Sequence, residues 1–73
     1  MKIQVGIITV SDRAAAGEYE NLGGPLLCKA ADGYGWAVLA ETVVRYEVEQ
    51  IQRAIREQIA KGCHLVLTTG GTE

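Results

Sequence analysis

The hydrophobic residues of the chain fall into three strand-like runs, which are separated by two segments with helical spacing. Residues 3–10, IQVGIITV, are almost continuously apolar and β-branched, as is typical of a strand covered on both faces. Residues 36–44, WAVLAETVV, and residues 63–69, CHLVLTT, form the other two runs. The pattern therefore predicts the order β-α-β-α-β.

The two helical segments differ in length and in amphipathicity. Pro25 stands where the first helix, residues 25–32, should begin, because its fixed φ and missing N–H suit a first turn. Gly33 or Gly35 can supply the left-handed residue that ends it. In the second helix four apolar residues recur three and four positions apart and predict one buried face: Val48, Ile51, Ile55 and Ile59. Gly62 is expected to end this helix.

Short connections between strands and helices favour a parallel sheet, and hence a three-layer α-β-α fold of the α/β class. Crossovers between parallel strands are right-handed. If the second helix returns the chain past the first strand, the strand order is 2-1-3 and the first strand is central. This order creates a switch point between the carboxyl ends of the first and third strands, where open α/β sheets bind ligands.

Composition narrows the class of protein. The 73 residues, 48% hydrophobic and 22% charged, are typical of one small globular domain. The formal net charge is -2 and the seven basic residues are scattered, which argues against a nucleic-acid surface. No apolar run approaches the ~18 residues of a membrane span. No signal peptide is recognisable, so the expected location is the cytoplasm. Cys28 and Cys63 are too far apart for a CxxC motif and are expected to stay reduced.

Two polar loops are predicted to meet at the switch point. The first is SDR, directly after the first strand, and the second is TTGGT, residues 68–72, at the end of the third. Glycines allow backbone N–H groups to approach an anion closely, and hydroxyl groups add further donors. The natural ligand of such loops is a phosphate group. The alternatives are a tight turn at the glycines, a helix or turn cap at Ser11, and a local ion pair between Asp12 and Arg13.

The segments GIITVSDRAAAGEYENLGGPLL and HLVLTTGGT together resemble the MoaB/Mog family of molybdenum-cofactor biosynthesis proteins, the molybdopterin adenylyltransferases. The resemblance covers the whole chain and is most specific at SDR and TTGGT. It implies a three-layer α/β domain that assembles into trimers or hexamers. It also implies an activity in which molybdopterin and ATP, with Mg²⁺, give adenylylated molybdopterin and pyrophosphate.

The resemblance assigns roles to particular residues. It implies that substrate phosphate binds at the two loops, through Ser11, Asp12, Arg13, Thr69, Gly70, Gly71 and Thr72. Family members typically carry an aspartate between the second strand and the second helix. In the matching stretch RYEVEQIQ, Glu47 stands in for it and is the candidate catalytic carboxylate. The alternative for Glu47 is a charge that answers the helix dipole.

The family's domain normally continues past this glycine loop with a further acidic motif, more strands and the oligomer surface. Glu73 also replaces the last glycine of the family's usual TTGGTG. Residues 1–73 are therefore expected to be the N-terminal part of a single molybdopterin-binding domain, truncated after the TTGGT loop. The leading hypothesis is an enzyme that binds molybdopterin and adenylylates it. The alternatives are a non-catalytic pterin- or nucleotide-binding scaffold module, and an inactive fragment that is stable only through self-association.

Overall fold

The computed structural model describes residues 2–17 and 23–70, and in these ranges it contains three strands and three helices. The elements are β1 Gln4–Val10, α1 Asp12–Ala15, α2 Gly23–Gly33, β2 Ala37–Val44, α3 Val48–Ala60 and β3 Leu65–Gly70. None of the helices in these ranges is long and apolar enough to cross a membrane.

The strands form one parallel sheet in the order β2-β1-β3, which confirms the predicted topology. β1 is the central strand, and its residues Val5, Ile7 and Ile8 are fully buried. A continuously apolar strand lies there because both of its faces are covered. The register between β1 and β2 shifts at Val5/Gly6, so β2 carries one extra residue opposite β1.

The two longer helices pack on opposite faces of the sheet. Ile8 of β1 packs in a core cluster with Ala54 of α3. Thr69 of β3 is paired with Thr9 and lies against Gly23 of α2. Because neighbouring residues of a strand point to opposite faces, α3 covers one face and α2 the other. The protein therefore has the three-layer α-β-α arrangement that the sequence predicts.

The buried face of α3 differs from the predicted one. Ala54 and Gln58 are buried, while Val48 and Ile59 are 69% and 59% exposed. Ile51 and Ile55 are partly buried against the cluster formed by Ile8, Val10, Val44 and Ala54. The helix was correctly predicted, but its contact stripe is rotated because Gln58 packs beside Gly6, where a Cβ would collide with the glutamine side chain.

The glycines that follow the helices agree with the prediction, whereas the start of α2 and the presence of α1 differ from it. Gly35 and Gly62 have φ of 78° and 101°, so left-handed glycines follow α2 and α3, as expected. Gly33, the other candidate cap, lies inside α2, and Pro25 is the third residue of the helix as described. The short helix α1 was not predicted. Cys28, which is half-buried, and Cys63, which is buried, are not paired with each other.

Candidate ligand-binding site at the carboxyl edge of the sheet

The carboxyl ends of β1 and β3 lie side by side, as a switch point requires. Thr9 pairs with Thr69, and Val10 pairs with Gly70. Ser11 follows Val10 directly, so the start of the SDR loop and the start of the TTGGT loop are adjacent. Gly71 and Thr72, which were also assigned to phosphate binding, lie outside the described residues.

Gly70 cannot be replaced by a larger residue without strain. Its φ is 88°, in the left-handed region that favours glycine. A Cβ at this position would also collide with the carbonyl oxygen of Val10. The backbone of the TTGGT segment therefore passes immediately beside the end of β1 at Gly70, which is the last residue of β3.

The first described turn of α2 lies against the end of β3, on the other face of the sheet. A Cβ on Gly23 would meet Oγ1 of Thr69 at 2.8 Å, so only a glycine allows this approach. The first turn of α2 contains no acidic residue. Backbone N–H groups and the helix dipole make such a turn favourable for a negatively charged group.

Ser11 has the role that the sequence left open as an alternative, that of a helix cap. It is 5% exposed, and its Oγ accepts a hydrogen bond from the N–H of Ala14 at 3.2 Å, which caps α1. Its own N–H donates to the carbonyl oxygen of Val44 at 2.9 Å. Ser11 thus ties the end of β1 to the end of β2. Arg13 is exposed, in the last turn of α1.

Asp12 connects the SDR loop to the segment between β2 and α3. Its Oδ1 accepts a hydrogen bond from the main-chain N–H of Tyr46 at 2.8 Å. Two more bonds hold this segment: Glu47 N–H donates to the carbonyl of Arg45 at 2.8 Å, and Arg45 N–H donates to Oε1 of Gln50 at 3.1 Å. The structure therefore places Asp12 as an anchor for Tyr46.

Glu47 lies at the N-cap position of α3 and is exposed. It makes no side-chain cap bond; its Oε2 accepts from Nε2 of Gln50 at 3.2 Å. Within residues 2–17 and 23–70 no group of three or more His, Cys, Asp or Glu side chains could hold a metal ion. Glu47 directly follows Tyr46 in sequence, and the carboxylate of Asp12 lies beside Tyr46 only in the folded chain, through its bond from the Tyr46 N–H.

A cavity of about 260 Å³ opens at this edge, on the face of the sheet that α3 covers. Its lining residues come from all the elements that meet there: Val10, Tyr46, Val48, Ile51, Thr68 and Gly70. Tyr46 was not among the site residues predicted from the sequence. The signal that could have found it is its position, since it follows the carboxyl end of β2 within the same edge of the sheet.

Comparison with protein families identifies one match across nearly the whole chain. The family described as "Probable molybdopterin binding domain" matches residues 6–72. This range begins in β1 and includes both loops of the candidate site.

Individual relatives agree with the family match. A "Molybdopterin adenylyltransferase" of Pyrococcus furiosus is 40% identical over 67 residues, which are 92% of this chain and 39% of that protein. A "Molybdenum cofactor biosynthesis bifunctional protein" of Synechococcus elongatus is 42% identical over 66 residues, which are 90% of this chain and 21% of that protein.

A solved structure shares the fold. The tungsten cofactor synthesizing protein MoaB from Pyrococcus furiosus matches with a TM-score of 0.91 and 34% identity, over 97% of this chain and 44% of that one. The chain thus spans less than half the length of each of these three proteins.

Proposed function

This chain belongs to the family of probable molybdopterin-binding domains, and from this premise we propose that it binds molybdopterin and a nucleotide and adenylylates molybdopterin. The reaction would join the adenylyl group of ATP to the phosphate of molybdopterin and release pyrophosphate. Relatives named molybdopterin adenylyltransferase support the proposal, although the chain covers only 39% of the one from Pyrococcus furiosus.

The observation that carries the proposal is that backbone groups suited to phosphate and a cavity suited to a ring meet at one edge of the sheet. Gly70, with φ of 88°, brings the backbone of the TTGGT loop against Val10. The start of α2 lies against Thr69 on one face, and the cavity lined by Tyr46 opens on the other face. An anionic group with an attached ring system could therefore be held across this edge.

The protein groups would act by positioning the phosphate groups of the substrates. The main chain at Thr69 and Gly70, together with the start of α2, would hold phosphate oxygens, as backbone donors do in other phosphate sites. Arg13, exposed in α1, would add positive charge near the same edge. Gly71 and Thr72 stay predicted members of this phosphate site. In such transfers the protein mainly orients the groups and stabilises charge.

Mg²⁺ is proposed to arrive with the nucleotide, because the described residues include no group of three or more His, Cys, Asp or Glu side chains that could hold it by themselves. Magnesium in nucleotide sites is commonly held by one or two carboxylates together with the substrate phosphates. Asp12 and Glu47 are the exposed carboxylates of the site. When bound, Mg²⁺ would neutralise charge on the transferring phosphate. Glu47 stays the candidate catalytic carboxylate.

A second candidate function is a binding or scaffold module that holds pterin or nucleotide without turnover. The specific observation that favours it is that both candidate carboxylates already accept hydrogen bonds, from Tyr46 N–H and from the side chain of Gln50. A cytoplasmic location is also proposed, and assembly into trimers or hexamers is a further proposal that follows from the resemblance.

The test separates binding from turnover. Calorimetric titration of the chain with pyrophosphate and with AMP would measure binding. Release of pyrophosphate from MgATP in the presence of molybdopterin would measure transfer. The adenylyltransferase proposal requires both signals, and it requires that Glu47→Gln lowers turnover while leaving AMP affinity within about twofold. Binding without turnover would support the scaffold module, and absence of binding would contradict both.

A further inference from the structure

We propose that the cavity beside Tyr46 binds the planar fused heterocycle of the ligand, with the Tyr46 ring as the surface on which it stacks. This inference rests on the proposed function and adds the position of the ring system. The phosphate-binding loops were predicted from glycines and hydroxyls, whereas the ring site is visible only in the folded chain.

The walls of the cavity suit a ring and not a phosphate group. Val10, Val48 and Ile51 supply apolar surface, and no charged residue within residues 2–17 and 23–70 contributes to the lining. Thr68 and Gly70 add polar groups at one side. Small-molecule sites are typically apolar pockets with a few placed polar groups, and these polar groups fix the orientation of the ligand.

The size of the cavity limits its occupant. Its volume of about 260 Å³ is below the ~300–1,000 Å³ of sites that enclose a drug-sized ligand. One bicyclic ring system is therefore a better match than a whole nucleotide. Gly70 belongs both to the lining and to the TTGGT loop, so a ring held in the cavity would have its attached phosphate beside the loop.

Tyr46 is held in place before any ligand arrives. Its main-chain N–H is anchored by Asp12 at 2.8 Å, and the residue before it is anchored by Gln50 at 3.1 Å. Its side chain is nevertheless 55% exposed. An exposed aromatic ring on an ordered backbone binds at a low entropic cost, because only its two side-chain torsions need to be restricted.

Two ligands carry the required chemistry, the purine of a nucleotide and the pterin of molybdopterin. Both are flat, fused and aromatic, and both can stack on a phenol ring. We therefore assign the cavity to a flat, fused aromatic ring, and the experiment decides whether that ring is the purine or the pterin.

The experiment measures affinity for three probes, AMP, 6-hydroxymethylpterin and pyrophosphate, by calorimetric titration of the 73-residue chain. The variants are Tyr46→Ala, Tyr46→Phe and the control Tyr34→Ala. Tyr34 is 75% exposed and stacks on Trp36 at a centroid distance of 5.1 Å, next to the start of β2 at the opposite end of the sheet. Each variant keeps the main-chain N–H, so the bond at residue 46 to Asp12 remains.

Because Tyr46→Ala removes the aromatic ring on which the ligand stacks, it should weaken the affinity for at least one ring-containing probe roughly 10- to 100-fold. Pyrophosphate affinity should stay within about twofold, Tyr46→Phe should bind nearly as the unsubstituted chain does, and Tyr34→Ala should change nothing. Loss with AMP alone assigns the cavity to the purine, and loss with the pterin alone assigns it to the pterin.

The outcomes separate this inference from the proposed function. If Tyr46→Ala leaves AMP and pterin affinities unchanged while pyrophosphate binds, the ring site is wrong and the phosphate site stands. If the ring probes bind through Tyr46 but pyrophosphate does not bind, the ring site stands and the phosphate site is wrong. If no probe binds the unsubstituted chain, both are wrong.

Discussion

The main-chain N–H of Tyr46 lies 2.8 Å from Oδ1 of Asp12 and donates a hydrogen bond to it. The two residues are 34 positions apart in sequence, and the bond joins the loop after β1 to the loop after β2. It makes Asp12 a residue that positions the candidate site, in addition to any contact that it has with ligand.

Replacing Asp12 should therefore affect both stability and binding. Asp12→Ala removes the acceptor and should lower the free energy of unfolding by about 1 kcal/mol, a usual value for such a bond. It should also weaken binding of AMP, because the Tyr46 segment loses its anchor. Asp12→Asn keeps an oxygen acceptor and should be close to the unsubstituted chain in urea denaturation. Equal effects of Ala and Asn would argue against the anchoring role.

Gly70 should tolerate substitution less well than Gly17, although both have positive φ, of 88° and 78°. Nothing lies within 4 Å of a Cβ at Gly17, so Gly17→Ala should cost only the left-handed strain of about 1–2 kcal/mol. Gly70→Ala adds the collision with Val10, worth a further ~1–3 kcal/mol. Thermal denaturation of both variants measures the difference, and equal costs would mean that the approach to Val10 is unimportant.

Gln58 is 1% exposed, and its Nε2 donates to the carbonyl oxygen of Ile7 at 3.0 Å. Its Oε1 finds no donor among the described residues. Gln58→Glu should place a carboxyl in this site, where burial raises its pKa. The folded state then favours the protonated form, so stability should be retained below the ordinary glutamate pKa of ~4.3 and lost as pH rises above it.

At pH 7 the free energy of unfolding of the Gln58→Glu variant should be lower than that of the unsubstituted chain by about 3 kcal/mol. The control is Gln52→Glu, on the same helix and exposed, which should show almost no change. Urea denaturation at pH 4 and pH 7 gives both comparisons. A Gln58→Glu variant that is as stable at pH 7 as at pH 4 would mean that water reaches the side chain.

Cys28 should react slowly with alkylating reagents. Burial, followed by the hydrogen bond to Oε2 of Glu41 at 3.0 Å and the charge of that carboxylate, raises the pKa of the Cys28 thiol to about 11. Only the thiolate is nucleophilic, so iodoacetamide labelling at pH 8 should be slow and should accelerate in Glu41→Gln. Mass spectrometry identifies the labelled residue, and fast labelling of the unsubstituted chain would contradict the assignment.

The same pKa shift predicts a stability change at alkaline pH. The pKa of the Cys28 thiol in the folded chain lies above the ordinary thiol pKa of 9.0, so the folded chain binds the proton more tightly than the unfolded chain does. The stability that the protonated Cys28 thiol contributes is fully present below pH 9 and declines between pH 9 and 11. Cys28→Ser should remove that part of the decline.

The outer strands of the described sheet should promote self-association. β2 and β3 are its two edges, and each presents an exposed leucine, Leu39 at 42% and Leu65 at 36%. Unpaired edges with apolar side chains invite pairing with another chain. Light scattering should give a mass that rises with concentration, and Leu39→Lys or Leu65→Lys should reduce it. Leu26→Lys, on α2, is the control. A constant monomer mass would contradict this prediction.

The strand and helix order and the strand order 2-1-3 could be predicted from the sequence, because each depends on local periodicity and on general rules of chain crossing. The positions of SDR and TTGGT at the switch point could be predicted for the same reason: SDR directly follows a recognisable strand, and TTGGT begins within the end of another. The roles within those loops were less predictable. Ser11 could be a cap or a ligand; its bond from Ala14 shows that it caps α1, while its role in phosphate binding stays a prediction.

The sequence by itself determined the three-layer α/β class, the family resemblance and the placement of Gly70 at the end of a strand. These features depend on residues that are neighbours along the chain. The tertiary structure decided that Gln58 replaces Ile59 on the buried face of α3, that Asp12 anchors Tyr46, and that Tyr46 lines a cavity with Thr68. Each of these depends on contacts between residues that are far apart in sequence, and no local pattern of apolar and polar residues records them.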